Sequence, residues 1–207
     1  LVELCKEAKK LDGIYHTHVR YGLGDRFLDP FKEAIQIGRR SRIPAHITHF
    51  YQRMPARGSA QTQLALVDQA HDEGLDVTFD SYPYPYSSTR LIIILPQWTK
   101  RGGPDALLRV LRSTECRKRL EEEVSPRAPT WDAMRLTNFK QPGNQRWDGH
   151  SIAEVVRASG KSLIDTICDL LIEEDLQISY VASSGNPDTI PIFYQHPLAM
   201  VGTDALL

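Results

Sequence analysis

Two histidines and one aspartate lie where strand-like runs of the sequence end. His18 and His49 belong to the runs 13–20 and 44–50, and Asp204 closes an otherwise uncharged apolar stretch. In a parallel barrel the carboxyl ends of the strands meet at one mouth, which is where such folds carry out chemistry. Imidazole is the commonest zinc ligand, and a nearby carboxylate can serve as a general base. The three residues therefore predict a metal centre with its own base.

Each of these residues also has a purely structural interpretation. A histidine on a strand is more often a hydrogen-bonded core residue than a ligand, and Asp204 could cap a helix that follows the strand. A carboxylate at the end of an uncharged run is costly, however, unless a metal or a partner compensates its charge. Strand parity predicts that only one of His46 and His49 faces the site, so we expect His49 to face it and His46 to face the helices.

Several further side chains near these runs can contribute to a site. Arg20 could hold a substrate carboxylate or pair with a nearby acid. Asp80 could be another ligand or a turn former. It precedes Ser81–Thr89, which we expect to be a loop because its prolines cannot donate ladder hydrogen bonds, and whose tyrosines and hydroxyls could line a pocket.

The elements that must position these residues alternate between short strands and longer helices. A helix is expected after the run 13–20, with Asp29 as its N-cap and Pro30 in its first turn. Another helix is expected at 61–73, ending before Gly74. With a third strand at 75–80, this alternation predicts an α/β fold with a parallel sheet and right-handed crossovers.

The remainder of the chain continues with longer helical patterns. Helices are expected at 104–123 and 151–174, a strand at 177–182, and a short helix at 188–195 before the terminal strand. Five or six strands result, whereas an eight-stranded barrel usually needs about 250 residues. The sheet is therefore either a barrel that lacks its front strands or an open sheet. His16 allows a rival interpretation, in which His16 and His18 form the first-strand metal clamp of a short barrel.

Composition narrows the function classes. The 207 residues are 41% hydrophobic and 25% charged, with a net charge of −1, so nucleic acid and anionic membranes are poor candidates as partners and a small molecule is the expected substrate. The longest uncharged apolar run, 91–96, is far shorter than the roughly 20 residues that span a bilayer. Three widely spaced cysteines indicate reduced thiols and a cytoplasmic location.

The chain ends favour a piece of a longer protein. Leu1 already lies in a helical pattern, and the sequence closes three residues after Asp204. We expect residues 1–207 to form one partial barrel domain, truncated at both ends and without its front strands.

Four motifs, at these same positions, resemble the D-aminoacylases, which are N-acyl-D-amino-acid deacylases. The motifs are His18-Val-Arg20, Ile47-Thr-His49, Asp80-Ser-Tyr-Pro-Tyr84 followed by Ser87-Ser-Thr89, and Val201-Gly-Thr-Asp204. The family belongs to the amidohydrolase superfamily of metal-dependent (β/α)8 barrels of the TIM type. The resemblance runs through nearly the whole chain and matches the second half of a family member.

The resemblance implies a role for each matching residue. His18 and His49 match zinc ligands, for one or two ions. Tyr82 matches a tyrosine that polarises the scissile carbonyl, and Asp204 matches the general base. The expected substrate-binding residues are Arg20, Ser88 and Tyr51, where Phe50-Tyr51 stands in place of the lysine that many members have after the second histidine.

The implied activity is metal-dependent hydrolysis of an amide C–N bond outside the peptide backbone, foremost the deacylation of an N-acyl-D-amino acid. The family's upstream His-x-His pair and bridging cysteine match nothing in this sequence, so we expect the 207 residues alone to be inactive. The alternatives are a cyclic amidase similar to dihydroorotase or hydantoinase, and a non-catalytic barrel that serves as a binding module. The oligomeric state is left open.

Overall fold

The computed structural model describes residues 1–20, 25–53, 58–126 and 131–204. Its helices are α1 (Val2–Lys9), α2 (Asp29–Ser41), α3 (Ala60–Asp72), α4 (Gly103–Arg112), α5 (Thr114–Val124), α6 (Ile152–Ser159), α7 (Leu163–Glu173) and α8 (Ile190–Tyr194). Its strands are β1 (Tyr15–His18), β2 (Ala45–Thr48), β3 (Val77–Ser81), β4 (Tyr86–Arg90), β5 (Arg135–Thr137), β6 (Ser179–Ser183) and β7 (Ala199–Val201). The chain divides into two compact units, Leu1–Pro85 with Ser184–Leu207, and Tyr86–Ser183.

The first unit is built on a parallel sheet with the strand order β1-β2-β3-β7. All three neighbouring pairs are parallel, and a helix follows each of the first two strands before the chain returns to the sheet. This is the α/β arrangement that the alternating sequence pattern predicts.

The two faces of this sheet differ in chemistry. One face is apolar, because Ile47, Val77 and Phe79 are almost fully buried in a core with residues of α2 and α3. The alternate positions of β1, β2 and β3 are polar, and they share the opposite face because side chains in a strand repeat every two residues. These positions are His16, His18, His46, Thr48, Thr78 and Asp80.

Helix α2 packs on the apolar face of the sheet. Phe31, Ala34 and Ile35 are buried at helical spacing, as their pattern predicts. Gly38 lets the helix approach β2 closely, since a Cβ at this position would lie 3.1 Å from the Cβ of Ala45. The prediction that Asp29 caps this helix is wrong: Leu28 occupies the cap position, and Asp29 lies in the first turn, where it pairs with Arg26.

The second unit combines four helices with an antiparallel sheet of order β4-β6-β5. Its own apolar core is centred on α4, α5, α6 and α7, with Leu111, Leu120, Ile167 and Leu171 at 0–1% exposure. None of the described helices, in either unit, combines the length and apolarity needed to cross a bilayer.

Three sequence expectations are corrected in and around this unit. Ser81–Thr89 is not entirely a loop, because the ladder of β4 begins at Tyr86, directly after the last proline. The expected helix 104–123 is broken at Ser113, whose side chain caps α5 by accepting the Cys116 N–H. The expected helix 151–174 is likewise two helices, since Gly160, with φ of 68°, ends α6.

Candidate metal centre

His18 and His49 are brought together by the register of the first two strands. His18 is the last residue of β1 and pairs with Thr48, the last residue of β2, so His49 follows directly beside it. The two imidazole rings meet edge to face, with their centroids 4.9 Å apart. The predicted pair of histidines at the carboxyl end of the sheet is therefore present in the structure.

His49 takes its orientation from a backbone turn rather than from strand alternation. Its φ of 61° lies in the left-handed region, which is uncommon for a residue with a side chain. Asp80 holds the turn, because its Oδ1 accepts the His49 backbone N–H at 2.9 Å and lies 3.8 Å from the ring Nδ1. The following residue, Phe50, is fully buried and donates its N–H to the Asp80 carbonyl at 2.7 Å.

The prediction that His46 faces the helices is wrong. His46 pairs with His16 and Thr78 across the sheet and so lies on the same polar face as His18. The prediction assumed that side chains alternate between the two faces from His46 to His49. The backbone leaves strand geometry at His49, so this alternation does not reach it.

Asp204 lies beside His49 at the same end of the sheet. Its Oδ2 accepts a hydrogen bond from the Tyr82 hydroxyl at 2.7 Å and is 3.6 Å from His49 Nε2. The side chain of Asp204 is about half exposed, at 51%, whereas that of His49 is 8% exposed. One carboxylate oxygen thus lies between a phenol donor and an imidazole.

Three tyrosines whose rings pack in a row form one wall of this site. The ring of Tyr82 lies 5.1 Å from that of Tyr51, 5.4 Å from that of Tyr84 and 4.6 Å from that of His49. Tyr84 also donates its hydroxyl to the carbonyl of Thr203, the residue before Asp204. This row of tyrosines therefore holds the segment that carries the carboxylate against the segment that carries the phenol.

Burial sets the protonation of the phenol and the imidazole. Burial, followed by the hydrogen bond to Asp204, raises the pKa of Tyr82 well above its usual value, so the hydroxyl remains a proton donor at neutral pH. Burial also lowers the pKa of His49, although Asp204 and Asp80 act in the opposite direction. A neutral imidazole is the form that ligates a metal.

The residues present fit a zinc ion. Two imidazoles and a carboxylate are ligand types that zinc prefers. Two atoms bound to a tetrahedral zinc at about 2.0–2.1 Å lie about 3.3 Å apart, and His49 Nε2 and Asp204 Oδ2 are 3.6 Å apart. These two atoms therefore already have nearly the spacing of co-ligands.

The predicted substrate-binding residues have different surroundings. Arg20 pairs with Glu33, and its side chain is 82% exposed. Tyr51 is buried, with its hydroxyl 3.5 Å from Ser184 Oγ. Ser88 belongs to the second unit, where it pairs with Val181 in the β4–β6 ladder.

Sequence reasoning gave too little weight to Asp80. This residue is 9% exposed and contacts both His46 and His49. Gly202 makes room for it, since a Cβ at that position would lie 2.4 Å from Asp80 Oδ1. A carboxylate directly after a buried strand is the signal that could have identified it, because such a residue needs compensating partners.

Two curated proteins are similar in sequence to part of this chain. The chain is 36% identical over 90 residues to N-acyl-D-glutamate deacylase from Alcaligenes xylosoxydans xylosoxydans, and 33% identical over 92 residues to D-aminoacylase from the same organism. These alignments cover 43% and 44% of the chain but only 18% and 19% of the two relatives. No protein-family profile matches the chain.

Solved structures extend the likeness over almost the whole chain. N-acyl-D-glutamate deacylase from Bordetella bronchiseptica, complexed with zinc and a phosphonate that mimics the tetrahedral intermediate, superposes on 98% of it with a TM-score of 0.68 and 24% identity. A D-aminoacylase studied for its binuclear metal centre superposes on 98% with a TM-score of 0.60 and 21% identity. The chain spans about a third of each structure, 35% and 34%. It therefore has the α/β fold of the corresponding part of the D-aminoacylase amidohydrolases, and its sequence is similar to that of the N-acyl-D-amino-acid deacylases.

Proposed function

We propose that this chain is part of a zinc-dependent amidohydrolase that removes the acyl group from an N-acyl-D-amino acid. The observation that carries the proposal is the shared Asp204 oxygen, which contacts the Tyr82 hydroxyl and lies within 3.6 Å of the His49 imidazole. The similarity to deacylases in sequence and fold supports the choice of reaction.

His18 and His49 would hold the zinc ion at the ends of their strands. Zinc supplies Lewis-acid polarisation of the amide carbonyl and activation of water near neutral pH. The edge-to-face contact of the two imidazole rings holds both histidines at the carboxyl end of the parallel sheet. Asp80 fixes the backbone of His49 and so preserves the direction of its ring.

Asp204 would act as the general base. Its partial exposure leaves the carboxylate accessible to water, while Tyr82 fixes the position of one of its oxygens. Asp204 can accept a proton from the attacking water and return it to the amine that leaves. Tyr82, which stays protonated, has a single O–H; when substrate binds, it can shift this hydrogen bond from Asp204 to the oxygen on which negative charge develops.

The substrate would be a small molecule with a free carboxylate. Arg20 is the proposed partner of that carboxylate, because its present ion pair with Glu33 is solvent-exposed and therefore weak enough to exchange. Ser88 is proposed as a further substrate contact because it belongs to the motif Ser87-Ser-Thr89, and Tyr51 because it stands where many family members have a lysine. The complete sheet is proposed to be a TIM-type barrel, and residues 1–207 a part of that one domain.

A reducing, cytoplasmic location completes the proposal. Cys5, Cys116 and Cys168 are all free thiols, and Cys5 and Cys168 are buried. Proteins of oxidising compartments tend instead to pair their cysteines.

Replacing Asp204 with Asn tests the mechanism in the longer protein of which this chain is proposed to be a part. The amide is nearly the same size and can still accept the Tyr82 hydrogen bond, but it cannot take a proton. We expect kcat on an N-acyl-D-amino acid to fall at least about 10²–10⁴-fold, with the fold retained. Zinc content and circular dichroism are measured alongside the rate.

Asp72→Asn is the matched control, because Asp72 is exposed at the end of α3. It should leave the rate and the zinc content unchanged. An Asp204→Asn protein that is zinc-loaded and fully active would end the proposed mechanism.

A further inference from the structure

We propose that the polar face of the sheet holds a second divalent-metal site, formed by His16, His46 and Asp80. The site is separate from the centre at His18, His49 and Asp204, and it does not depend on the deacylase activity. It would take a first-row transition cation such as zinc through two imidazole nitrogens and one carboxylate oxygen.

The three side chains converge because their strands are in register. His16 pairs with His46 across β1 and β2, and Asp80 lies on the same face of β3, two residues beyond the partner of His46. One ligand atom from each residue lies within 4.8 Å of the other two. His46 Nε2 and Asp80 Oδ2 are 3.0 Å apart, close to the roughly 3.3 Å expected between co-ligands of tetrahedral zinc.

Threonine hydroxyls supply the outer contacts that metal-binding histidines usually have. His46 Nδ1 lies 2.8 Å from Thr78 Oγ1, and His16 Nε2 contacts Thr48 Oγ1. A cation would use one nitrogen of each ring, and a hydrogen bond at the other nitrogen would fix the tautomer.

Asp80 can serve this site without giving up its role at His49. Its Oδ1 accepts the His49 backbone N–H, whereas its Oδ2 faces His46. The two oxygens therefore have separate partners, and a cation at Oδ2 leaves the turn at His49 intact.

The residue types themselves argue against a merely structural role. The interior positions of parallel barrels are dominated by branched apolar residues, which fill space without requiring partners. Here the paired positions of β1, β2 and β3 carry imidazoles, hydroxyls and a carboxylate instead. The side chains of His46 and Asp80 are largely buried, whereas His16 is exposed. Burying such polar groups is costly unless each is satisfied, and a cation would satisfy two imidazoles and an anion together. Three protein ligands would leave a coordination position open.

Metal counting in the purified protein tests the second site. The protein is stripped with a chelator and dialysed against zinc alone, and bound zinc is measured by elemental analysis. His16→Gln and His46→Gln should each lose one equivalent of zinc relative to the unaltered protein. His49→Gln should lose zinc from the centre at His18 and His49 but keep the zinc bound by His16, His46 and Asp80. Loss of zinc from one site can therefore be told apart from loss at the other.

His71→Gln is the control, because His71 is an exposed histidine on α3. It should leave the stoichiometry unchanged. Thr78→Val keeps all three ligands and should weaken zinc binding at this site about 10–100-fold. Cobalt substitution adds a readout, since absorption bands that survive His49→Gln but vanish in His16→Gln belong to the second site.

Unchanged zinc stoichiometry in both His16→Gln and His46→Gln would overturn the proposal and leave these residues as a hydrogen-bonded ladder. His16 is exposed, so its replacement is readily tolerated even if His46→Gln unfolds the protein.

Discussion

Among single residues, Tyr82 is the one whose environment most clearly limits its chemistry. Its ring is packed between two tyrosines, its hydroxyl contacts Asp204, and its raised pKa keeps it protonated. It can donate a hydrogen bond at neutral pH but cannot act as an anionic base.

In the longer protein that contains this chain, we expect Tyr82→Phe to lower kcat about 10²–10³-fold, as is typical for losing one donor to a developing oxyanion. KM should change less, because the donor acts mainly in the transition state. Steady-state kinetics with zinc analysis measure both effects. Tyr86→Phe is the control, since Tyr86 is 54% exposed. A Tyr82→Phe protein with unchanged kcat would reduce Tyr82 to a packing role.

The candidate site residues that could be predicted from the strand pattern are those at or just beyond strand ends. His18, His49 and Asp204 come together because parallel strands end at one edge, whereas Tyr82 was identified only through the resemblance to the D-aminoacylases. The prediction for His46 failed because the direction of His49, with which it was compared, depends on a left-handed backbone conformation that periodicity does not show. The partner of Arg20 was equally hidden, since Glu33 is thirteen residues away on a helix.

At the level of elements, strands β1, β2 and β3 were predictable because each is a short run, mostly of alternating side-chain character, that follows a helix. Strand β4 was missed because Pro83 and Pro85 dominate its neighbourhood, although both precede its first ladder pair. Strand β5 has only three residues, too few for alternation to appear. The break between α4 and α5 depends on Ser113, whose capping role is local and inconspicuous within a longer helical pattern.

Helices α5 and α7 of the second unit are joined through Arg117. Its guanidinium binds Asp165 at 2.9 Å and Asp169 at 2.7 Å, and its Nε donates to the Leu111 carbonyl. Burial raises the pKa of Asp169, but hydrogen bonds from Lys161 and Arg117 outweigh it and hold that pKa below its usual value.

We expect Arg117→Gln to lower the free energy of unfolding of the second unit by about 1.5–3 kcal/mol, the usual range for hydrogen bonds to charged groups. The pKa of Asp169 is lower in the folded state than in the unfolded state. Ionised Asp169 therefore stabilises the fold at pH values above its unfolded-state pKa, near 3.9, and this stabilisation is lost as the pH falls through the folded-state pKa. Arg117→Gln removes part of this stabilisation, so its free energy of unfolding should fall less than that of the unaltered protein when the pH is lowered from 5 to about 2. Urea unfolding followed by tryptophan fluorescence measures this, with the exposed Arg109→Gln as control. If the free energy of unfolding fell by the same amount in both proteins over this pH range, Arg117 would not be what lowers the pKa of Asp169.

For the whole molecule, the decisive feature is that the second unit has a core of its own. All three tryptophans, Trp98, Trp131 and Trp147, lie within Tyr86–Ser183, so their fluorescence reports on this unit alone. The first and last residues of the unit, Tyr86 and Ser183, are partners in the β4–β6 ladder.

We expect residues 86–183, produced separately, to unfold cooperatively in urea, because a buried apolar core and paired ends are what an independent domain needs. The midpoint by tryptophan fluorescence should match that of the same unit in the 207-residue chain. A broad, non-cooperative transition would show instead that the unit depends on the rest of the chain.

The pairing of Tyr86 with Ser183 also affects the order in which the sheet can assemble. Strands β3 and β7 are neighbours, although the whole second unit separates them along the chain. Once β4 and β6 have paired, the chain that must still be closed between β3 and β7 shrinks from nearly 120 residues to about 20, which lowers the entropic cost of closure by about 1.5 kcal/mol. The last strand, and with it Asp204, therefore joins the parallel sheet most readily after the second unit has folded. The approach of the Asp204 carboxylate to His49 thus depends on a part of the chain that carries neither residue.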